Sequence, residues 1–244
     1  MTRAHLDSEP VLADRNHLAL HLAHRWFAFF EASGGDLDAH LQIFHPQVRL
    51  SGHRGSHLLA SDRERLAAWL VAVPDEISSY RIVHSNYLTA DNGDGLLNMV
   101  VAYQAPSYPE IHGSIISYET RVEFAQIPRF SAIDKTPILP NKRHAFEPSW
   151  STNRVLARVH AELGGITGSD GQLRIELGSK IREILAHSTA LTGSKNYQAL
   201  VTATGGDPDE LRVVRLQLAD DVKATMPTIE IVEPLPLLER LISK

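Results

Sequence analysis

The sequence predicts an α+β fold: a helical lid, an antiparallel sheet directly after it, and then a second, smaller α+β unit. Three observations predict this. Residues 16–70 carry three helix signals in succession, and residues 77–136 carry four strand signals joined by short turns. Prolines at 137, 140 and 148 then mark a boundary at 137–150, beyond which the pattern restarts. The expected domains are 1–140 and 151–244.

The first helix is set by Leu18, Leu22, Trp26, Phe29 and Phe30, which fall on one apolar stripe at i, i+4, i+8, i+11 and i+12. Ser33-Gly34-Gly35 ends it, because glycine accepts the left-handed cap conformation without a Cβ clash. Asp36 can cap a second helix carrying Leu37, Leu41 and Phe44, which Pro46 stops. A short strand signal, Val48-Arg49-Leu50, leads into the glycine-flanked loop Ser51-Gly52-His53-Arg54-Gly55. Ser61 with Glu64 three residues on is a capping box for a third helix, which buries Leu66, Trp69, Leu70 and Val73 before Pro74.

The sheet follows. Residues 77–90 mix Ile77, Tyr80, Ile82, Val83 and Tyr87 and end at Asp91-Asn92-Gly93-Asp94-Gly95, a strong turn signal. Residues 96–104 are apolar on both faces, as in a central strand covered on each side. Residues 112–125 alternate, with Ile116, Tyr118, Thr120, Val122 and Phe124 on one face and Glu119, Arg121 and Glu123 on the other. Residues 129–136 make the last strand. In the second half, Ser151 or Thr152 can cap a helix bearing Val155, Leu156, Val159 and Leu163. Helical spacing of Leu173, Leu177, Ile181, Ile184, Leu185 and Leu191 predicts another helix over 170–191. Strands are expected at 197–204, 210–219 and 228–232, and a closing helix at 235–242.

The order helix, "GGDLDAHLQIFHPQV", glycine-flanked loop and capped helix ending in "RLAAWL" resembles the opening of the nuclear transport factor 2-like superfamily, which includes ketosteroid isomerases and SnoaL-like polyketide cyclases. The resemblance covers residues 16 to about 138; residues 151–244 resemble no family. It implies a strongly curved, cone-shaped (cystatin-like) antiparallel sheet around a helix-lidded pocket for a small apolar organic molecule. It also implies a homodimer, since sheets of this superfamily commonly pair through the outer face. Any catalysis would be proton transfer (isomerisation, cyclisation or dehydration) without a cofactor. The alternative is a non-catalytic ligand-binding or protein-interaction module. Steroid-isomerase chemistry itself is not expected. Alignment with the family stretch puts Gly52 where the base aspartate would stand, Trp26 or Phe27 at the tyrosine, and Thr120 near the second acid.

Composition limits the other function classes. The 244 residues carry a net charge of −5 with both signs interspersed, which gives no field for nucleic acid or anionic membrane. No apolar run approaches a membrane span, and the N-terminus lacks the apolar core of a signal peptide, so a cytoplasmic protein is the expectation. Cysteine is absent, which removes thiol nucleophiles and thiolate metal sites. No Walker motif is found, "GGITGSDG" follows a helix where a Rossmann fingerprint follows a strand, and Gly-x-Ser-x-Gly is missing.

Within the resemblance, the acid/base candidates are His53, His112 and Asp134. A histidine beside a carboxylate is a competent proton-transfer pair, and Asp134 should lie within hydrogen-bonding reach of the His53 ring. The expected ligand wall is Trp26, Phe30, Ile116, Tyr118 and Thr120. Convergence of His53, His112, Tyr118 and Asp134 on one cavity would favour the enzyme; scatter would favour the binding module. His17, His21 and His24 share a helix face at a spacing that can hold a metal, but a solvated polar face is the expectation there, and no metal is assigned.

Overall fold

The structure is a computed structural model that describes residues 9–31, 35–73, 78–105, 112–142, 153, 156–157, 160, 183–191, 196–204, 211–219 and 228–231. The chain packs as two units, Leu18–Ala157 and Met1–His17 with Arg158–Lys244.

In the first unit, α1 (Glu9–Phe30) is followed by α2 (Leu37–Leu41), β1 (Phe44–Gly52), β2 (His57–Ala60) and α3 (Arg63–Ala72). Four long strands complete it: β3 (Ser79–Thr89), β4 (Gly95–Ala105), β5 (His112–Glu123) and β6 (Arg129–Lys142). Together they form the expected α+β unit, a curved and open six-stranded sheet in the order β2-β1-β6-β5-β4-β3. Strands β3 to β6 pair antiparallel, as the short turns require. β1 instead lies parallel to β6, so the sheet is mixed. Bulges in the β3–β4 and β5–β6 ladders add local twist and bend the strands.

Local chemistry places most boundaries. Asp36 caps α2 by accepting a 3.0 Å hydrogen bond from the Ala39 amide. Phe44 and Pro46 are not in that helix but open β1. The β1–β6 ladder is irregular between Phe44 and Arg49, and an irregular stretch tolerates a residue that has no N–H. The cap of α3 is Asp62 and not Ser61. The Asp62 carboxylate accepts from the Arg65 amide at 2.8 Å, while the Ser61 hydroxyl donates to Asp62. β6 runs on to Lys142, so Pro137 and Pro140 lie within a strand and not in a linker.

Inside the curve, Phe27, Phe44, Leu50, Leu66, Leu97, Val101, Val122 and Phe130 are fully buried. On β5, Tyr118, Thr120 and Val122 are buried while Glu119 and Arg121 are exposed, which is the expected alternation. β4 was expected to be apolar and covered on both faces, and Leu97, Met99, Val101 and Ala102 are buried there, but Asn98 is exposed.

In the second unit, β7 (Glu183–Leu191), β8 (Asn196–Thr204), β9 (Leu211–Ala219) and β10 (Thr228–Ile231) form an antiparallel sheet in the order β10-β9-β8-β7. The last three match the expected strands. The helix expected over 170–191 is overturned for residues 183–191, which pair along β8, with His187 opposite Val201 and Ser188 opposite Leu200. Ser188 and Thr189 are weak helix formers, and a neighbouring ladder outweighs the helical spacing of Ile184, Leu185 and Leu191. Residues 153, 156, 157 and 160 are helical, as expected. The helix expected at 235–242 and the "GGITGSDG" stretch lie outside the described residues.

Gly95 starts β4 where two rings close in. A Cβ there would come within 2.7 Å of Phe124 and 2.8 Å of Tyr87. Gly95→Ala is expected to cost about 1–3 kcal/mol, the usual range for forcing an extra methyl into packed space. Urea unfolding of the two proteins measures it, and an unchanged midpoint would show that the rings move aside freely.

Candidate functional site

The sheet register decides which side chains face the helices. Tyr118 on β5 pairs with Met99 on β4 and Lys135 on β6, and Lys135 pairs with Gly52 on β1. Directly paired residues share a face, so these four belong to the inner face with Thr120, Leu97 and Ile133. The neighbouring row, Ser51, Asp134, Glu119 and Asn98, belongs to the outer face.

Against the inner face α1 lays an aromatic wall. Phe27 stacks on Tyr80 at 5.0 Å and meets Tyr118 edge-on at 5.2 Å, and Trp26 meets Phe30 edge-on at 5.0 Å. Tyr80 continues the row to Tyr103 at 5.1 Å. Burial, and then the neighbouring Tyr103, pushes the Tyr118 phenol well above its ordinary pKa. The nearby Trp26 N–H opposes this, although it falls short of a full hydrogen bond. Both phenols therefore stay neutral across the physiological range, since Tyr80 is raised too, chiefly by burial. They offer O–H groups and no anion.

The one inner-face cation among the paired positions just named is Lys135, which sequence reading missed. Its ammonium stands 4.5 Å from the centre of the Trp69 ring, and Trp69 reaches it from α3. No carboxylate pairs with it among the described residues, and burial lowers its pKa from the ordinary lysine value. Strand parity held the signal: once Ile133 is inward, Lys135 is inward and Asp134 is not.

Asp134 has a different task. Its carboxylate accepts from Ser51 Oγ at 2.6 Å, the Gly55 amide at 2.6 Å, Thr136 Oγ1 at 3.0 Å and the Arg54 amide at 3.1 Å. Desolvation pushes its pKa up, but the hydrogen bonds from Ser51, Thr136, Gly55 and Arg54 outweigh it and hold the group below its ordinary value. Those bonds hold the loop after β1, in which His53, Arg54 and Gly55 take φ of 53°, 57° and 80°. Such left-handed backbone disfavours His and Arg, so an external clamp is needed to keep it. His53 itself is exposed; its amide bonds the Lys135 carbonyl at 3.1 Å, and its ring lies near His57. His112 opens β5 opposite Ala105, and its side chain lies outside the described residues. Thr120 is buried, donating to the Leu97 carbonyl at 2.8 Å. The structure thus brings Trp26, Phe30, Tyr118 and Thr120 into the aromatic core, with Ile116 packed at its margin and only half-buried.

The histidine stripe corrects another expectation. It is not solvated. His24 is buried, and its Nδ1 donates to Asn153 Oδ1 at 2.6 Å. His21 Nδ1 donates to the Ala157 carbonyl at 2.7 Å, and burial drives its pKa down to about 4. Asn153 in turn donates to the Glu31 carboxylate and, at 2.8 Å, to the Tyr80 carbonyl. Within the other unit, His17 and His160 bring their Nδ1 atoms to 3.1 Å. Among the described residues no group of three or more His, Asp or Glu side chains could hold a metal.

Three solved structures show the likeness to known proteins. ActVI-ORFA from Streptomyces coelicolor is 10% identical, with 50% of this chain covering 96% of that one at a TM-score of 0.42. A protein with a cystatin-like fold from Caulobacter vibrioides is 14% identical, with 52% covering 91% at 0.43. A ketosteroid isomerase-like protein from Erwinia carotovora atroseptica is 13% identical, with 55% covering 100% at 0.40. These are likenesses of fold. No family model matches the sequence. No curated protein matches it either. The element order of helices, curved sheet and helical cover is the one that the sequence resemblance implied. No helix among the described residues is long and apolar enough to cross a membrane.

His40 gives this region a measurable acid limb. It stacks on Phe29 at 4.0 Å, lies 5.6 Å from Trp26 and meets Phe44 edge-on at 5.4 Å. Its buried Nε2 has no hydrogen-bond partner among the described residues. Burial, assisted by the charge of Arg25, takes its pKa from 6.5 to about 3. Between those values the unfolded chain binds a proton that the folded chain refuses, so stability present above 6.5 is lost as pH falls toward 3. His40→Phe should remove about one proton from that dependence, or about 1.4 kcal/mol per pH unit. Urea unfolding at pH 4 to 7 reads the slope, and a slope unchanged by the substitution would contradict a neutral, desolvated His40.

Proposed function

We propose that the Leu18–Ala157 unit binds a small, largely apolar organic molecule between α1, α3 and the inner face of its sheet. One observation carries the reading. Phe30 on α1, Trp69 on α3 and Ile116 on β5 are among the apolar side chains that pack against the buried core yet remain half-buried themselves. Apolar groups left accessible beside a concave, aromatic-rich surface are what a ligand of that character covers. Trp26, Phe30, Ile116 and Tyr118 supply contact area in this reading, and Thr120 holds β5 to β4.

Binding without catalysis by His53 is the version that the geometry favours. The Asp134 carboxylate is taken up by the loop it clamps, and it belongs to the outer face. A general base needs an orienting partner and a reachable substrate. His53 is exposed on the turn that Asp134 holds. The fold matches include a ketosteroid isomerase-like protein, but activity of that kind is no part of this proposal.

The test uses the neutral fluorophore N-phenyl-1-naphthylamine on the full chain. The wild type should bind one equivalent saturably, with energy transfer from tryptophan. Ile116→Trp, which fills the margin of the wall, should weaken binding about ten-fold or more while the melting curve stays cooperative. A wild type without saturable binding, or an Ile116→Trp variant that binds as tightly, would sink the reading.

A further inference from the structure

Lys135 is difficult to explain as packing. A lysine that only filled space on an inner sheet face would be replaced at lower cost by methionine or leucine, because desolvating an ammonium is unfavourable without a counter-ion. The cation–π contact with Trp69 offsets part of that cost, about 1 kcal/mol or somewhat more in such settings. The rest has no internal compensation among the described residues. On β5 the paired position presents neutral Tyr118, α3 presents the Trp69 ring, and β1 presents Gly52. Gly52 matters here. A Cβ on it would meet nothing nearer than the Lys135 carbonyl oxygen at 3.4 Å, an ordinary contact. The neighbouring strand therefore has room for a methyl group beside Lys135 and supplies no side chain. The alternative account, in which the stem packs along Trp69 and the tip reaches toward water, assigns the charge no purpose.

We propose that Lys135 is the anion-recognising group of the ligand site: an acidic group on the ligand, a carboxylate or sulfonate, pairs with its ammonium beside Tyr118 while the apolar body lies on the aromatic wall. The ligand class is therefore a small aromatic or alicyclic organic acid. This rests on the binding reading above and adds the charge of the ligand. The geometry assigns recognition through the point charge of the ammonium, and no bond is made or broken.

The experiment compares two probes with one skeleton. 1-Anilinonaphthalene-8-sulfonate carries an anion, and N-phenyl-1-naphthylamine lacks it. Both are titrated into the full chain by calorimetry, so that only one-to-one binding is counted. The wild type should hold the sulfonate about ten-fold more tightly than the neutral probe. Lys135→Met should abolish that preference by weakening the sulfonate alone, and Lys135→Arg should keep most of it. The wild-type preference requires no variant to fold, so it tests the proposal by itself. Equal affinity of the wild type for both probes overturns the proposal and leaves the binding reading intact. So does a preference that survives Lys135→Met in a variant that melts normally. Failure of the neutral probe to bind the wild type would overturn the binding reading instead, and this proposal with it.

Discussion

The register between β5 and β6 is the constraint on which the rest of the first unit depends. Side chains alternate with a period of two, so the pairing of Tyr118 with Lys135 fixes every neighbour. It puts Thr120 and Ile133 inside with them, and Glu119 and Asp134 outside. A slip of one residue would carry a carboxylate into the aromatic core and Tyr118 to the surface. Two features pin the register. Phe130, Ile133 and Leu50 fill the core from β6 and β1 and have no comparable place on the outer face. On that outer face, Asp134 gathers four donors from β1, β6 and the loop between β1 and β2.

The same sheet explains why α1 carries two kinds of side chain. Its aromatic face meets Tyr80 and Tyr118. Its histidine face meets Asn153 and Ala157, so both faces are covered along Leu18–Phe30. A buried polar face is stable only when its hydrogen bonds are made. Asn153 provides most of them, accepting from His24 while donating to Glu31 and to the backbone of β3 at Tyr80. That chain joins helix, sheet and residue 153 through polar contacts at the edge of an apolar core.

Much of this was legible because it was local. The stripe of α1, the Asp36 cap, the turn around Gly93 and the alternation of β5 are each written within a dozen residues or so. What the sequence concealed was long-range. The partners of His24 and His21 stand 129 and 136 residues away, so a polar face bound for burial reads like a solvated one. The parallel pairing of β1 with β6 has no local signature, and without it Pro46 reads as the end of a helix. Residues 183–191 have apolar spacing that suits a helix, and only the β8 ladder selects the strand. At the site, periodicity put Trp26 and Phe30 on one helix stripe and Tyr118 on one face of β5, while Phe27, which meets both Tyr80 and Tyr118, stands outside that stripe. Lys135 has no such signal of its own, and the acid/base candidate on β6 is Asp134, one position away and on the opposite face.

The central claim is that Lys135 faces inward with a cation held in a partly desolvated place. Its side chain can be observed directly by NMR with the Cε and Nζ of lysine isotopically labelled, Lys135→Arg supplying the assignment. The account predicts a titration midpoint below the ordinary lysine value of 10.5 and nuclear Overhauser contacts from the Lys135 Cε protons to the Trp69 indole. A midpoint at 10.5 with no contact to Trp69 would put the ammonium in open water and contradict the inner-face assignment.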